Sequence, residues 1–330
     1  MSISTDRVAG FIKEIGRGAR GARGLPRAEA TELASALLAR DIQPAQVGAI
    51  LLALRMKGET LDEIAGFHTA AAAHCTRINV PHALGTTVVI PSYNGARRNP
   101  NLMPLLALLL RQLRLNVLVH GLTEVAGRVT TAAIWRTLEL PFASSVDAAG
   151  EQLARERLTF IPLTELAPAL AELLAWRTTL GVRNVGHTIV KLINPLSAPA
   201  LLLVPMTHPP YLQLLREYFA ERDDSVLLFR GSEGEAIASS ARVPDFDWFN
   251  AGRHQVLAGM DISSGEERGR SAIDTISTAQ HIRALLSQPE RMPRSVLESA
   301  MRILVASGRA MSIEDAQHVI ERCCTQSIAA

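Results

Sequence analysis

The order of hydrophobic periods narrows the fold of this chain more than any other feature. The first 75 residues carry helical spacing, and from Ala83 onward short β-branched runs alternate with helical stretches. Pro26 suits the first position of a helix running towards Leu38, and Pro44 opens another with Val47, Ile50, Leu51 and Leu54 on one face. Gly58 separates that helix from the next, which Thr60 and Glu63 begin as a capping box. Leu84–Ile90, with its run T-T-V-V-I, ends at Pro91 and Asn94-Gly95, the pattern of a strand running into a loop. A helical stretch with Leu105, Leu106, Leu109 and Leu113 follows, and then the apolar strand Asn116–His120. Strand, helix and strand in that order imply a parallel sheet, because parallel neighbours need a crossover. Ala149–Thr179 reads as helix, Ala200–Val204 and Ser225–Phe229 as strands, Trp248–His254 as a packed loop, and the chain from Ser271 as helix.

At 330 residues the chain is long enough for two domains, and 48% hydrophobic with 20% charged residues excludes wholesale disorder. Its apolar runs, such as Met103–Leu110 and Ala198–Met206, fall short of the ~20 residues a membrane span needs. The N-terminus, M-S-I-S-T-D-R, has no apolar signal core, so a cytoplasmic protein with no membrane partner is expected. Cys75, Cys323 and Cys324 are too few and wrongly spaced for a disulfide framework or a zinc site, and read as reduced thiols. The net charge of +2 singles out no partner, but its distribution is uneven. Lys13, Arg17, Arg20, Arg23 and Arg27 punctuate a glycine-rich stretch whose only acid is Glu14. A mobile basic arm of this kind can follow a phosphate backbone and release counterions, and the same composition suits a solvated surface loop.

Residues Pro44–Gly66, P-A-Q-V-G-A-I-L-L-A-L-R-M-K-G-E-T-L-D-E-I-A-G, closely resemble the N-terminal helical domain of anthranilate phosphoribosyltransferase. The resemblance extends over nearly the whole chain. It implies an α/β protein with a small all-helical domain and a larger α/β domain around a central, mainly parallel sheet. The implied division is 1–78 with about 150–180 for the helical, dimer-forming domain, and 79–149 with 181–330 for the other. It also implies a homodimer.

The site motifs depart from the family pattern. Where the family has a G-T-G-G-D loop around pyrophosphate, this chain reads V-V-I-P-S-Y-N-G-A-R-R-N-P-N from Val88 to Asn101. Its segment V-H-G-L-T-E-V-A-G-R-V-T-T-A-A resembles the family's K-H-G-N-R and the helix start after it. His120 and Gly121 match, but the lysine is Val119 and the asparagine–arginine pair is Leu122–Thr123. Leu180–Leu196 resembles the segment whose arginine contacts anthranilate; Arg183 matches it, and His187 and Lys191 add potential positive charge. The family's adjacent Asp-Glu metal pair is replaced by R-G-S-E-G-E-A, in which a glycine separates the candidate cation contacts Glu233 and Glu235.

These replacements resemble the nucleic-acid-binding, YbiB-type branch of the family. That implies a catalytically inactive protein without a cofactor, binding single- and double-stranded DNA, with RNA left open, and linked to the DNA-damage response. The candidate contacts are Lys13, Arg17, Arg20, Arg23, Tyr93, Asn94, Arg97, Arg98, Arg183, His187 and Lys191. Arginines fork onto backbone oxygens, and the Tyr93 ring is expected to stack a base, worth ~1–3 kcal/mol. Ser92, Gly95, Asn101, His120, Gly121, Thr130 and Thr131 form the expected vestige of a phosphate site. In a second reading the chain is an active transferase on an unusual substrate. There Ser92, Asn94, Asn101, Thr130 and Thr131 hold phosphate by neutral donors, and Glu233 or Glu235 holds magnesium. In a third it is a scaffold whose basic arm meets an acidic protein.

Overall fold

The computed structural model describes residues 3–18, 20–81, 84–239, 242–262 and 273–328. Ser271 and the side chain of Cys324 lie outside the described residues. The chain forms two compact units, Met1–Arg77 with Leu163–Pro195, and Ile78–Pro162 with Leu196–Ala330.

The first unit is helical, with α1 (Thr5–Ile15), α2 (Arg27–Leu38), α3 (Pro44–Lys57) and α4 (Leu61–Ala73). Ser4 caps α1 by accepting from the Arg7 amide, and Val8, Phe11 and Ile15 form its buried stripe. A Cβ at Gly66 of α4 would lie 2.6 Å from Ala30 Cβ and 2.8 Å from the Arg27 carbonyl, so only glycine lets α2 and α4 meet this closely. The Thr60–Glu63 capping box forms as its spacing predicts. The Glu63 carboxylate, fully buried, also accepts from the Leu25 amide at 3.1 Å and from Lys57 Nζ at 2.7 Å. That contact fixes the end of the basic stretch. Its middle is fixed too, because the Arg23 amide donates to the Glu14 carbonyl at 3.0 Å and the Gly21 and Ala22 amides donate to the Gly18 carbonyl. The described residues of the expected mobile arm are therefore folded, with Lys13 on α1 and Arg27 opening α2. Helices Leu163–Leu166, Pro168–Leu180 and Gly186–Ile189 complete the unit.

The second unit is built on strands β1 (Thr87–Ser92), β2 (Asn116–Gly121), β3 (Leu158–Pro162), β4 (Ala200–Met206) and β5 (Ser225–Arg230). Next come the short β6 (Arg242–Val243), then β7 (Phe246–Asn250), β8 (Arg253–Leu257) and β9 (Met260–Asp261). The seven-stranded sheet has the order β3-β2-β1-β4-β5-β7-β8. Its first five strands are parallel and β7 and β8 run antiparallel, while β6 pairs with β9 separately. Strands β1 to β4 are buried on both faces, which is why they read as unbroken apolar runs. Alternate residues Val88, Ile90, Val117, Val119, Leu201 and Leu203 share one core with Leu105, Leu106 and Leu109.

Helix does not run unbroken over 149–179, because the buried run L-T-F-I-P forms β3 and pairs with β2. That pairing ties 150–162 to the sheet unit, so the second helical segment is Leu163–Pro195 rather than about 150–180. Trp248–His254 is not a loop but a hairpin whose turn residues Ala251 and Gly252 both have positive φ, 48° and 73°, the backbone a two-residue turn requires.

The chain winds from β1 outward through β2 and β3, then returns to place β4 on the other side of β1. Ligands of open α/β sheets lie at the carboxyl ends of the strands where winding reverses. Here that point lies between β1 and β4.

Candidate functional site

The loop after β1 and the loop after β5 interlock at this switch point. The Glu235 carboxylate, 2% exposed, accepts from the Asn94 amide at 2.9 Å, the Gly95 amide at 2.7 Å and the Ser92 hydroxyl. The Glu233 carboxylate accepts from the amides of Arg97, Arg98 and Asn99 at 3.0, 2.9 and 3.2 Å. Between them Gly234 has φ 86°, and a Cβ there would lie 2.0 Å from the side-chain nitrogen Nδ2 of Asn94. Arg128 donates to the Gly95 carbonyl at 3.0 Å and stands 3.7 Å from Glu233. A loop that aims successive N–H groups at one point is an anion cradle. In this chain the anions are its own two carboxylates.

The same contacts dispose of Glu233 and Glu235 as cation ligands. Their oxygens face N–H and O–H donors, the reverse of the surroundings magnesium requires. Among the described residues no three His, Cys, Asp or Glu side chains are grouped to hold a metal.

The residues expected to be a vestigial phosphate site are a filled, hydrogen-bonded core. Ser92, Asn101, His120, Thr130 and Thr131 are each less than 5% exposed. Asn101 donates to Thr131 at 3.1 Å and to the Val129 carbonyl at 3.2 Å. The Thr130 hydroxyl donates to the Thr123 carbonyl at 2.8 Å and accepts from the Ala133 amide at 3.2 Å, capping the helix Thr131–Thr137. Of the neutral donors proposed for a transferase, Ser92, Asn101 and Thr130 are thus already committed. Gly95 and Gly121 survive for packing reasons. A Cβ at Gly121 would lie 1.9 Å from the Ser92 carbonyl oxygen, and one at Gly95 would lie 2.7 Å from that of Val129.

Tyr93 and Asn94 are corrected as nucleic-acid contacts, because each is only 2% exposed. The Tyr93 hydroxyl hydrogen-bonds Nδ1 of His120, and the two rings meet edge to face at 5.4 Å. A ring held this way offers no face to a base. In the helical unit, His187 and Lys191 are corrected too. Lys191 is 7% exposed, and burial, reinforced by the charges of Arg183, Arg177 and Lys191, pushes His187 down to about 3. His187 is therefore neutral and adds no positive charge. Arg183 is half-buried.

Burial alone pushes His120 down to about 3 as well. Both values lie below the ordinary 6.5, so the unfolded chain takes up protons first as pH falls. Their contribution to stability is complete above about pH 6.5 and is lost progressively towards pH 3. At pH 5 the loss is about 2 kcal/mol for each histidine relative to neutral pH, at 1.36 kcal/mol per pK unit. Urea midpoints at the two pH values check this, and His120→Gln should halve the difference.

What the site presents to solvent is basic. Arg97 and Arg98 are exposed, and among the described residues neither side chain has a hydrogen-bond or ion-pair partner. Beside them is a cleft of about 370 Å³ lined by Ala96, Arg97, Gly127, Arg128, Val129, Ile273, Asp274 and Thr275. Arg128 was not singled out by the sequence reading; its signal is an arginine flanked by Gly127 just before the Thr130 cap. On the helical unit Lys13, Arg20 and Arg23 are exposed, while Arg17 is paired with Glu14 at 2.7 Å.

Comparison with known proteins supplies the family. A model described as glycosyl transferase family, helical bundle domain, matches residues 10–75. The chain is 36% identical over 306 residues to the uncharacterized protein YbiB of Escherichia coli, covering 92% of this chain and 96% of that one. It is 29% identical over 167 residues to an anthranilate phosphoribosyltransferase of Desulfitobacterium hafniense, covering 51% of this chain and about half (49%) of that enzyme. The solved anthranilate phosphoribosyltransferase of Thermus thermophilus superposes with a TM-score of 0.74 at 21% identity, covering 96% of this chain and 94% of that one. The Saccharomyces cerevisiae enzyme, in complex with PRPP and Mg, superposes with a TM-score of 0.71 at 13% identity, covering 97% and 95%. The fold is that of anthranilate phosphoribosyltransferase, a small helical domain with a larger α/β domain around a mostly parallel sheet. The chain belongs to the anthranilate phosphoribosyltransferase-like proteins of glycosyltransferase family 3.

Proposed function

We propose that this chain is a non-catalytic nucleic-acid-binding protein with little sequence preference, built on a phosphoribosyltransferase-like scaffold. The observation that carries the reading is the pair Arg97 and Arg98, exposed side chains on a loop whose backbone is locked by Glu233 and Glu235. A rigid loop displaying two guanidiniums suits phosphate oxygens, and phosphate contacts position a strand without reading its bases. Lys13, Arg20 and Arg23 give the helical unit a basic surface of its own. With Tyr93 buried, no base-stacking ring supports the reading, which rests on charge. Single strands, duplexes and RNA are then bound by the same contacts.

The transferase reading is disfavoured by the filled cradle and by carboxylates that face N–H donors. A mobility-shift assay with an oligonucleotide tests the proposal beside an assay for phosphoribosyl pyrophosphate consumption with magnesium and amine acceptors. A shift without consumption is expected; consumption without a shift would overturn it.

We also propose a homodimer formed through α3. Ala45, Ala49, Leu52 and Met56 are exposed at helical spacing, with Leu52 45% and Met56 79% exposed. An apolar stripe of this kind on a helix suits a two-fold partner. Light scattering should return twice the chain mass for the wild type and the chain mass for Leu52→Asp/Met56→Asp.

A further inference from the structure

Arg97 and Arg98 stand at the carboxyl end of the sheet, and a second group of arginines stands at its amino end. Arg114 and Arg157 follow the helices Met103–Gln112 and Val146–Glu156, just before β2 and β3. Both take the left-handed conformation, with φ 65° and 59°, where helices ordinarily place glycine. The first turn is fixed by bonds from the Arg114 amide to the Arg111 carbonyl and from the Leu115 amide to the Leu110 carbonyl, each 3.0 Å. In the second, the Arg157 amide donates to the Leu153 carbonyl at 3.0 Å. The two turns are joined, because Arg157 Nη1 donates to the Arg114 carbonyl at 3.3 Å and the Val117 amide to the Arg157 carbonyl at 2.9 Å.

The side chains on this joined backbone are largely unspent. Arg114 and Arg157 are exposed and Arg111 is half-buried. Among the described residues the guanidiniums of Arg111 and Arg114 have no hydrogen-bond or ion-pair partner. Glu156, the acid next to Arg157, is taken by Arg155 at 2.9 Å. The apolar neighbours Leu113, Leu115, Leu153 and Leu158 are all buried, so the ledge offers cations and no apolar anchor. Protein interfaces centre on buried aromatic or aliphatic anchors, whereas a phosphate backbone is held by charge and forked hydrogen bonds alone.

We infer that Arg111, Arg114 and Arg157 form a second polynucleotide contact, so that one chain holds two separate nucleic-acid segments. This second surface rests on the nucleic-acid reading of the chain and extends it from one contact to two. The six residues of β2 lie between the two ends of the sheet, a span of about 20 Å at ~3.3 Å per residue. A duplex of about 12 base pairs is far shorter than the ~150 base pairs over which DNA bends freely, so it cannot wrap from one surface to the other.

The test compares full-length wild type with Arg114→Gly/Arg157→Gly, Arg97→Ala/Arg98→Ala and the quadruple variant. Glycine adopts the left-handed conformation more readily than arginine, so the urea midpoint of Arg114→Gly/Arg157→Gly should equal or exceed that of wild type. Any binding it loses then reports lost charge and not lost structure. Each protein is titrated at low salt with the short duplex, and the number bound per chain at saturation is measured by sedimentation. Each double variant should bind one duplex fewer per chain than wild type, and the quadruple variant two fewer. An Arg114→Gly/Arg157→Gly protein that keeps the wild-type number overturns the inference. So does an unchanged duplex number accompanied by lost binding of polyglutamate, which assigns the ledge to an acidic protein. Wild type that binds no duplex overturns the nucleic-acid reading together with the second contact. Loss of a duplex in Arg97→Ala/Arg98→Ala alone leaves that reading standing and removes only the second contact.

Discussion

Glu235→Ala should lower the stability of the protein by about 3–5 kcal/mol, because three donors lose their acceptor at once and each buried unsatisfied donor costs ~1–3 kcal/mol. Those donors are the Asn94 and Gly95 amides and the Ser92 hydroxyl. All three residues are buried, so water does not replace the carboxylate without opening the loop. Glu235→Gln should cost less, about 1–2 kcal/mol, because the amide oxygen still accepts while its NH2 group opposes one of the donors. Urea denaturation gives both values. The exposed-rim substitution Glu233→Gln should fall below either, so the ranking itself tests which carboxylate is structural.

Arg97→Ala/Arg98→Ala should weaken oligonucleotide binding by about tenfold to a hundredfold at low salt and reduce the slope of log affinity against log salt by about two. The double variant is informative because it leaves the loop in place. Glu233 is held by the backbone amides of Arg97 and Arg98, and alanine keeps those amides. A loss of binding would therefore report the guanidiniums and not a collapsed loop, and an unchanged urea midpoint would confirm the distinction. If the variant binds like wild type, Arg97 and Arg98 are solvated surface charges.

How far the sequence reaches depends on the distance over which each feature is determined. The Thr60–Glu63 cap is written within four residues and was legible. So were β1, β2, β4 and β5, whose burial on both faces shows as apolar runs. Strand β3 was lost inside a helical stretch because a five-residue apolar run carries no period of its own. The β7–β8 hairpin was lost because Ala251, unlike asparagine or glycine, gives no sign of its positive φ. The site was harder. Glu233 and Glu235 meet the loop across 134 to 143 residues, and no local pattern announces that a carboxylate will fill an anion cradle so far away. The motifs did show that the phosphate loop is rewritten. They did not show that Tyr93 turns inward to His120, or that burial neutralises His187.

The proposed function requires that the arginines of the rewritten loop bind polynucleotide phosphates. Fluorescence anisotropy of a labelled single strand, and of its duplex, with wild-type protein between about 50 and 200 mM salt tests this most directly. Both forms should bind with similar affinity, because the Tyr93 ring is buried, and log affinity should fall steeply and linearly with log salt. Absence of binding by folded protein at the lowest salt, or affinity indifferent to salt, would contradict it.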